Sequence, residues 1–135
     1  MILIDTSAWI EFLRDTGSSV CNAVDELLDD DIATCDVVAM ELLAGARDDN
    51  HLQSLRALLA RATHITVLPI DYEDAAGLYR TSRRRGVTVR KLADCLIGAV
   101  AIRAGATVLH SDSDFNLLAS CSSLVVDQRS SRRKK

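Results

Sequence analysis

Apolar residues recur along this chain at two spacings. Met1–Asp5 is an apolar run without alternation, the pattern of a strand covered on both faces of a parallel sheet. Thr6 and Ser7 follow and can cap a helix over about Ala8–Arg14, and Gly17 with Ser18 and Ser19 marks a turn. A second helix is expected over Val20–Asp29, where Val20, Ala23, Val24, Leu27 and Leu28 keep helical spacing. Ile32–Cys35 reads as a short strand, and VVAMELLAGA (37–46) as a buried helix whose one charge is Glu41. Residues 50–63 are amphipathic, with Leu52, Leu55, Leu58 and Leu59 on one side. A strand over Ile65–Leu68 is stopped by Pro69, and a helix over Asp71–Arg85 opens on Asp71 as N-cap and ends at Gly86. Further helices are expected at Leu92–Ala104 and near Phe115–Ser120, with strands at Thr107–His110 and near Leu124–Val126.

Strands alternating with helices predict an α/β fold with a mainly parallel sheet sandwiched by helices. The stretch from Val87 to Phe115 organises this pattern. Between Leu92 and Ile102 the one charge is Asp94, among Leu, Ile, Val, Ala and Gly. A helix that apolar is buried, and a lone carboxylate on it is costly unless its charge is compensated; a bound cation is one compensation.

Composition narrows the picture. The length of 135 residues fits one domain with a single core, and 48% hydrophobic with 26% charged residues is ordinary globular usage. No apolar run approaches the roughly 18–20 residues of a membrane span. MILID begins without a basic segment or cleavage site before it, which argues against secretion and for a cytoplasmic protein. Cys21, Cys35, Cys95 and Cys121 are far apart and form no CxxC pair, so they read as reduced core thiols rather than zinc ligands. The net charge of −3 conceals a basic end: Arg129, Arg132, Arg133, Lys134 and Lys135 leave the preceding chain distinctly acidic. An acidic body is not the footprint of a passive nucleic-acid binder. The end of the chain is expected to be a disordered tail.

Each acidic residue has an ordinary explanation. Asp5, Asp112 and Asp114 can cap helices, and Asp94 lies in a first helical turn that favours an anion. Glu41, in mid-helix, has neither excuse and would need a buried Arg partner. Together they say more. Sites in open α/β sheets lie beyond the carboxyl ends of strands, where Asp5 and Asp112 both fall. If those strands are neighbours, the two carboxylates share a crevice into which Glu41 and Asp94 can point. Clustered carboxylates repel unless a cation offsets them, and an oxygen-only set selects a hard ion such as Mg²⁺ or Mn²⁺.

Asp5-Thr6-Ser7 after an apolar strand, Glu41 within VVAMELLAGA and ELLAGAR, Asp94 in LADCLIGAVAIRAGA, and SDSDF at 111–115 resemble the PIN-domain ribonucleases. More narrowly, they resemble the toxin of VapBC toxin–antitoxin modules. The likeness covers nearly all of residues 1–127, leaving 128–135 as the basic tail. It implies a divalent-metal endoribonuclease in which Asp5, Glu41, Asp94 and Asp112 form the acidic quartet. Asp5, Asp94 and Asp112 are then assigned to the metal and Glu41 to the attacking water. Asp114, Ser7 and Ser111 are auxiliary. Ser111 stands where Thr or Asn is commoner and Cys95 where Ala is commoner, and neither departure removes a carboxylate. The resemblance also implies an RNA substrate, a homodimer, and an antitoxin whose C-terminal segment fills the active-site groove. Helices within residues 20–63 are candidates for the dimer surface.

An acidic pocket repels phosphate, so binding RNA needs positive charge at its rim. From Arg80 to Lys91 six basic residues occur without an acid, and Arg84, Arg85, Arg90 and Lys91 read either as a phosphate track or as a solvated helix end. A metal-dependent phosphatase or DNA nuclease would share the carboxylates. A non-catalytic, receiver-like Mg²⁺ module would need a Lys after a late strand; Lys91 comes too early and no other Lys precedes the tail.

Overall fold

The structure is a computed structural model that describes residues 1–131. Its sheet has four strands, β1 (Ile2–Ile4), β2 (Ile32–Cys35), β3 (Thr63–Ile65) and β4 (Thr107–Leu109), all parallel and ordered β3-β2-β1-β4. Among the described residues seven helices connect and cover them. They are α1 (Thr6–Leu13), α2 (Ser19–Leu27), α3 (Asp36–Ala44), α4 (Asp49–Leu59), α5 (Pro69–Arg84), α6 (Leu92–Ala104) and α7 (Ser113–Ser120). All four residues of β2 are buried. Successive side chains of a strand point to opposite faces, so this sheet is covered on both, as its unalternating apolar runs predict.

Strands β1 and β4 are neighbours, with Ile2 opposite Thr107 and Ile4 opposite Leu109. The Asp5 N–H donates to the Leu109 carbonyl at 3.0 Å, so the two chain segments leave the sheet side by side. The carboxyl end of the sheet therefore has the crevice that the order of acidic residues anticipates.

Several boundaries differ from the sequence pattern for local reasons. Helix α1 is capped by the Asp5 side chain rather than by Thr6 or Ser7. Helix α5 starts at Pro69, where a missing N–H costs nothing, and Asp71 sits inside its first turn instead of capping it. Strand β3 lies at Thr63–Ile65 and not at 65–68, because α4 ends at Leu59 and the edge strand pairs from Ala33↔Thr63. Asp36 secures that edge, pairing with His64 and accepting the Val67 N–H. The expected last strand is a single bridge, Val108↔Val126.

The chain from 128 to 131 does not behave as a loose tail. Arg129 pairs with Asp127, the buried Ser130 hydroxyl accepts the His110 N–H, and the Ser131 N–H donates to the His110 carbonyl. The remainder of the expected basic tail, 132–135, lies outside the described residues.

Helix α6 is buried almost all round, through Cys95, Ile97, Gly98, Ala99, Val100 and Ala101. It ends at Gly105, whose φ of 66° is a left-handed turn that a side chain would strain. Its position against α5 is fixed by a fork. Arg103 donates from Nε to Asp71 Oδ1 at 2.8 Å and from Nη2 to Asp71 Oδ2 at 3.0 Å, while Nη2 also meets the Thr66 carbonyl. Asp71 is fully buried and also accepts the Leu68 N–H. The Arg103 bonds hold the Asp71 carboxyl below its usual range.

Removing one partner of a buried pair leaves the other uncompensated, so Asp71→Asn is expected to lower unfolding free energy by about 2–4 kcal/mol in urea titrations at pH 7. Because the folded-state pKa of Asp71 is depressed, its contribution is present above the unfolded value near 4 and lost below it. The mutant's penalty should therefore shrink in acid; a penalty unchanged from pH 7 to pH 3 would contradict the ion-pair account.

Candidate active site

Each acidic side chain of interest is placed by a local structural cause. Asp5 ends β1 and caps α1, its Oδ2 accepting the Ser7 N–H at 3.0 Å and the Ser7 hydroxyl at 2.6 Å. The Ser7 oxygen in turn accepts the Ser111 N–H at 2.8 Å, which joins the turn after β1 to the turn after β4. Asp112 caps α7 by accepting the Asp114 N–H at 3.0 Å. Asp94 lies in the first turn of α6, and Asp114 in that of α7. Glu41 comes from α3, half-buried, and accepts the Thr6 hydroxyl at 2.7 Å. It has that hydroxyl instead of the buried Arg partner the sequence left open.

Asp5, Glu41, Asp94 and Asp112 line one cleft of about 200 Å³ with Thr6, Ser7, Ile10 and Lys91. One oxygen from each of Asp94, Asp112 and Asp114 lies within 4.8 Å of the others. Asp114 thus groups with Asp94 and Asp112 although it does not line the cleft.

Burial leaves its mark on these groups. Burial pushes the Asp5 carboxyl up to about 6 against the lowering bonds from Ser7, and Glu41 adds to the rise. Burial also pushes Asp94 up to about 8, with Asp5 and Asp112 contributing repulsion. For Asp112 burial acts upward too, but the Asp114 N–H and the Lys91 and Arg90 charges outweigh it and hold the group below its usual range. Lys91 Nζ stands 3.4 Å from Asp112 Oδ2, and Arg90 Nε stands 3.6 Å from Asp114 Oδ1. Arg90 also gives its backbone N–H to Asp114. These two cations therefore face the carboxylates, whereas Arg84 and Arg85 are exposed and make no ion pair with the carboxylates among the described residues.

The donor set suits a hard divalent cation. Asp5 Oδ1, Asp94 Oδ2 and Asp114 Oδ1 are buried oxygens with no hydrogen-bond partner, and of the three, Asp114 Oδ1 has a long ion pair with Arg90 at 3.6 Å. A buried carboxylate oxygen left unpaired is costly, and an ion with oxygen ligands is the partner that removes that cost. No nitrogen or sulfur ligand joins the cluster among the described residues.

Residues the sequence did not single out hold this arrangement. His110 is fully buried, and its Nδ1 accepts the Asp112 N–H at 3.0 Å. Its Nε2 therefore carries the proton and donates to Asn116 Oδ1, while Asn116 Nδ2 donates to the Ser131 carbonyl. Burial holds the His110 pKa down, keeping it neutral. Thr6, His110 and Asn116 act through partners that only the fold brings together, so spacing carried no signal for them.

The PIN-domain family matches residues 2–120. The chain is 48% identical over 128 residues to Ribonuclease VapC11 of Mycobacterium tuberculosis, covering 92% of this chain and 96% of that protein. It is 30% identical over 118 residues to Ribonuclease VapC51 of the same organism, covering 87% and 84%. Among solved structures, VapBC-1 from nontypeable Haemophilus influenzae aligns with a TM-score of 0.75 at 17% identity, covering 96% of this chain and 98% of that one, a likeness of fold.

The raised carboxyls give a test that needs no substrate. A folded-state pKa above the unfolded value near 4 means that stability is lost as pH rises through the folded pKa, here about 6 for Asp5 and about 8 for Asp94. In EDTA, the melting temperature should fall from pH 5 to pH 8. Asp94→Asn should flatten that fall and stabilise the metal-free fold at pH 8 by about 1–3 kcal/mol, an effect that fades toward pH 4. A variant less stable than wild type at pH 8 would refute the strained-carboxylate picture.

Proposed function

The chain belongs to the PIN-domain family, and on that footing we propose that it is a divalent-metal-dependent endoribonuclease acting as the toxin of a type II toxin–antitoxin pair. The observation that carries the reading is the cleft itself, where acidic side chains from two strand ends and two helices converge with unpaired oxygens. Relatives named as ribonucleases, one of them 48% identical, and the VapBC assemblies of like fold support the choice of RNA hydrolysis and of an antitoxin partner. The phosphatase, DNA-nuclease and receiver-like alternatives have no comparable support.

Asp5, Asp94 and Asp112, with Asp114 beside them, are assigned to hold Mg²⁺, for which Mn²⁺ can substitute. A bound divalent ion would supply the positive charge that offsets the scissile phosphate and makes a hydroxide accessible near neutral pH. Glu41 orients the attacking water and takes its proton, with its carboxylate kept in place by Thr6. Ser7 fixes the Asp5 carboxylate, and its bond from the Ser111 N–H keeps the two ligand-bearing turns in register. Arg90 and Lys91, which neutralise Asp112 and Asp114 in the structure, would be free to meet the RNA backbone with a divalent ion held by those carboxylates. Arg84 and Arg85 extend that positive rim toward longer substrates.

The attacking group in this reading is water and not the ribose 2′-hydroxyl, so products carry 5′-phosphate and 3′-hydroxyl ends. The protein works as a cytoplasmic homodimer, held inactive by an antitoxin whose C-terminal segment enters the cleft.

Incubation of labelled total RNA with the protein and Mg²⁺ or Mn²⁺ is expected to give discrete cuts that EDTA abolishes. Asp94→Asn should reduce the rate at least about 100-fold, the scale of losing one electrostatic element of a catalytic site. Calorimetry should show weakened Mn²⁺ binding in the same variant. Cleavage that persists in EDTA or in folded Asp94→Asn, or 2′,3′-cyclic ends, would overturn this mechanism.

A further inference from the structure

A second cavity opens beside the carboxylate cleft. It holds about 360 Å³ between α1, α3 and α4, and it shares Ile10 and Glu41 with the cleft. Its apolar wall is Leu13, Leu42 and Leu55 with Ile10. Its polar lining is Arg14, Arg47 and His51 along with Glu41. Neither arginine makes an ion pair among the described residues, although the chain as a whole is acidic. The His51 Nδ1 accepts the Arg47 N–H at 3.0 Å, so the neutral ring keeps Nε2–H as a donor.

We propose that this cavity is a nucleotide subsite, which takes the base and flanking phosphate next to the bond being cut in single-stranded RNA. The inference rests on the nuclease reading above and adds to it where the substrate runs and what is read. Arg90 and Lys91 stand at the Asp112 and Asp114 carboxylates, and Arg14 and Arg47 line the cavity that meets the cleft at Glu41. A polyanion crossing an acidic cleft needs positive charge on both sides of the crossing. The apolar wall, in continuity with the cleft through Ile10 and Glu41, offers a face to a splayed-out base, as single-stranded RNA presents, and His51 supplies a ring that can stack. Two guanidinium groups and an imidazole N–H make the lining rich in donors. It therefore suits a base edge rich in acceptors, and guanine O6 and N7 are the pair a guanidinium meets best. The alternative occupant, a protein segment with its own carboxylates, is distinguished from RNA by photo-crosslinking.

The experiment uses the full chain as Asp94→Asn with saturating Mg²⁺, so that RNA binds with little cutting, and circular dichroism establishes that the variant is folded. Random single-stranded RNA decamers carrying 6-thioguanosine or 4-thiouridine are photo-crosslinked and mapped by mass spectrometry. Crosslinks are expected in residues 41–55 and at the end of α1, and more from thioguanosine than from thiouridine. By fluorescence anisotropy, adding Arg14→Ala or Arg47→Ala should each weaken binding about 5–20-fold. Each should also make the salt slope shallower by roughly 0.7, one phosphate contact on a single strand. In the cleaving protein, the same substitutions should relax base preference on one side of the cut. Crosslinks confined to residues 84–91 would overturn the subsite and leave the nuclease reading standing. A folded wild-type chain that binds Mn²⁺ by calorimetry but no RNA would overturn both.

Discussion

Repulsion among buried carboxylates is the constraint around which this fold is arranged. Two charges 4.8 Å apart interact by about 3 kcal/mol at an effective dielectric constant near 20. That exceeds the roughly 0.5–1.5 kcal/mol of a typical hydrogen bond, so no single bond holds such a cluster together. The protein applies several restraints at once. Ser7 and backbone N–H groups bind the anions, Arg90 and Lys91 stand opposite them, and Asp94 keeps its proton toward neutral pH. Each of these is a partial substitute for the positive charge that an ion would bring.

The sheet and its flanking helices supply the rigidity that such a cluster demands. Adjacent parallel strands deliver Asp5 and Asp112 to the same edge, and the Ser7–Ser111 bond joins the turns that follow them. Helix α6 brings Asp94 from a different direction, and it is anchored far from the cleft by the Arg103–Asp71 fork. Asp94 is the third residue of the helix, at the positive end of its dipole, which favours an anion there. Stability elsewhere in the molecule thus maintains a locally unfavourable arrangement, the usual relation between scaffold and site.

Much of this was legible in the sequence because burial writes a strong pattern. An apolar helix with one acid, as around Asp94, and an acid at the end of an unalternating strand, as at Asp5, are visible without coordinates. The same is true of the fold class, since strands and helices alternate. Residues that act through long-range partners were not visible. His110 reads as the end of a strand, and only the structure shows its ring holding the Asp112 turn and, through Asn116, the chain near Ser131. Thr6 reads as a cap and proves to be the partner of Glu41. Arg90 and Lys91 read as a substrate track or a solvated helix end, and nothing in their spacing shows that they face the acids. The edge strand β3 was misplaced by two residues because the apolar run at 65–68 is longer than the stretch that pairs with β2. Register at an edge is set by one neighbour, which leaves the apolar pattern a weak guide there.

The link from His110 through Asn116 to Ser131 gives the two ends of the polypeptide unequal roles. The amino end enters the sheet at once, through β1, and its first residues are fixed by backbone pairing. The segment at Ser130 and Ser131 meets the acidic turn, the Ser131 N–H bonding the His110 carbonyl and the Ser131 carbonyl meeting Asn116. An affinity handle or reporter fused directly behind Ser131 would pull on the support of Asp112.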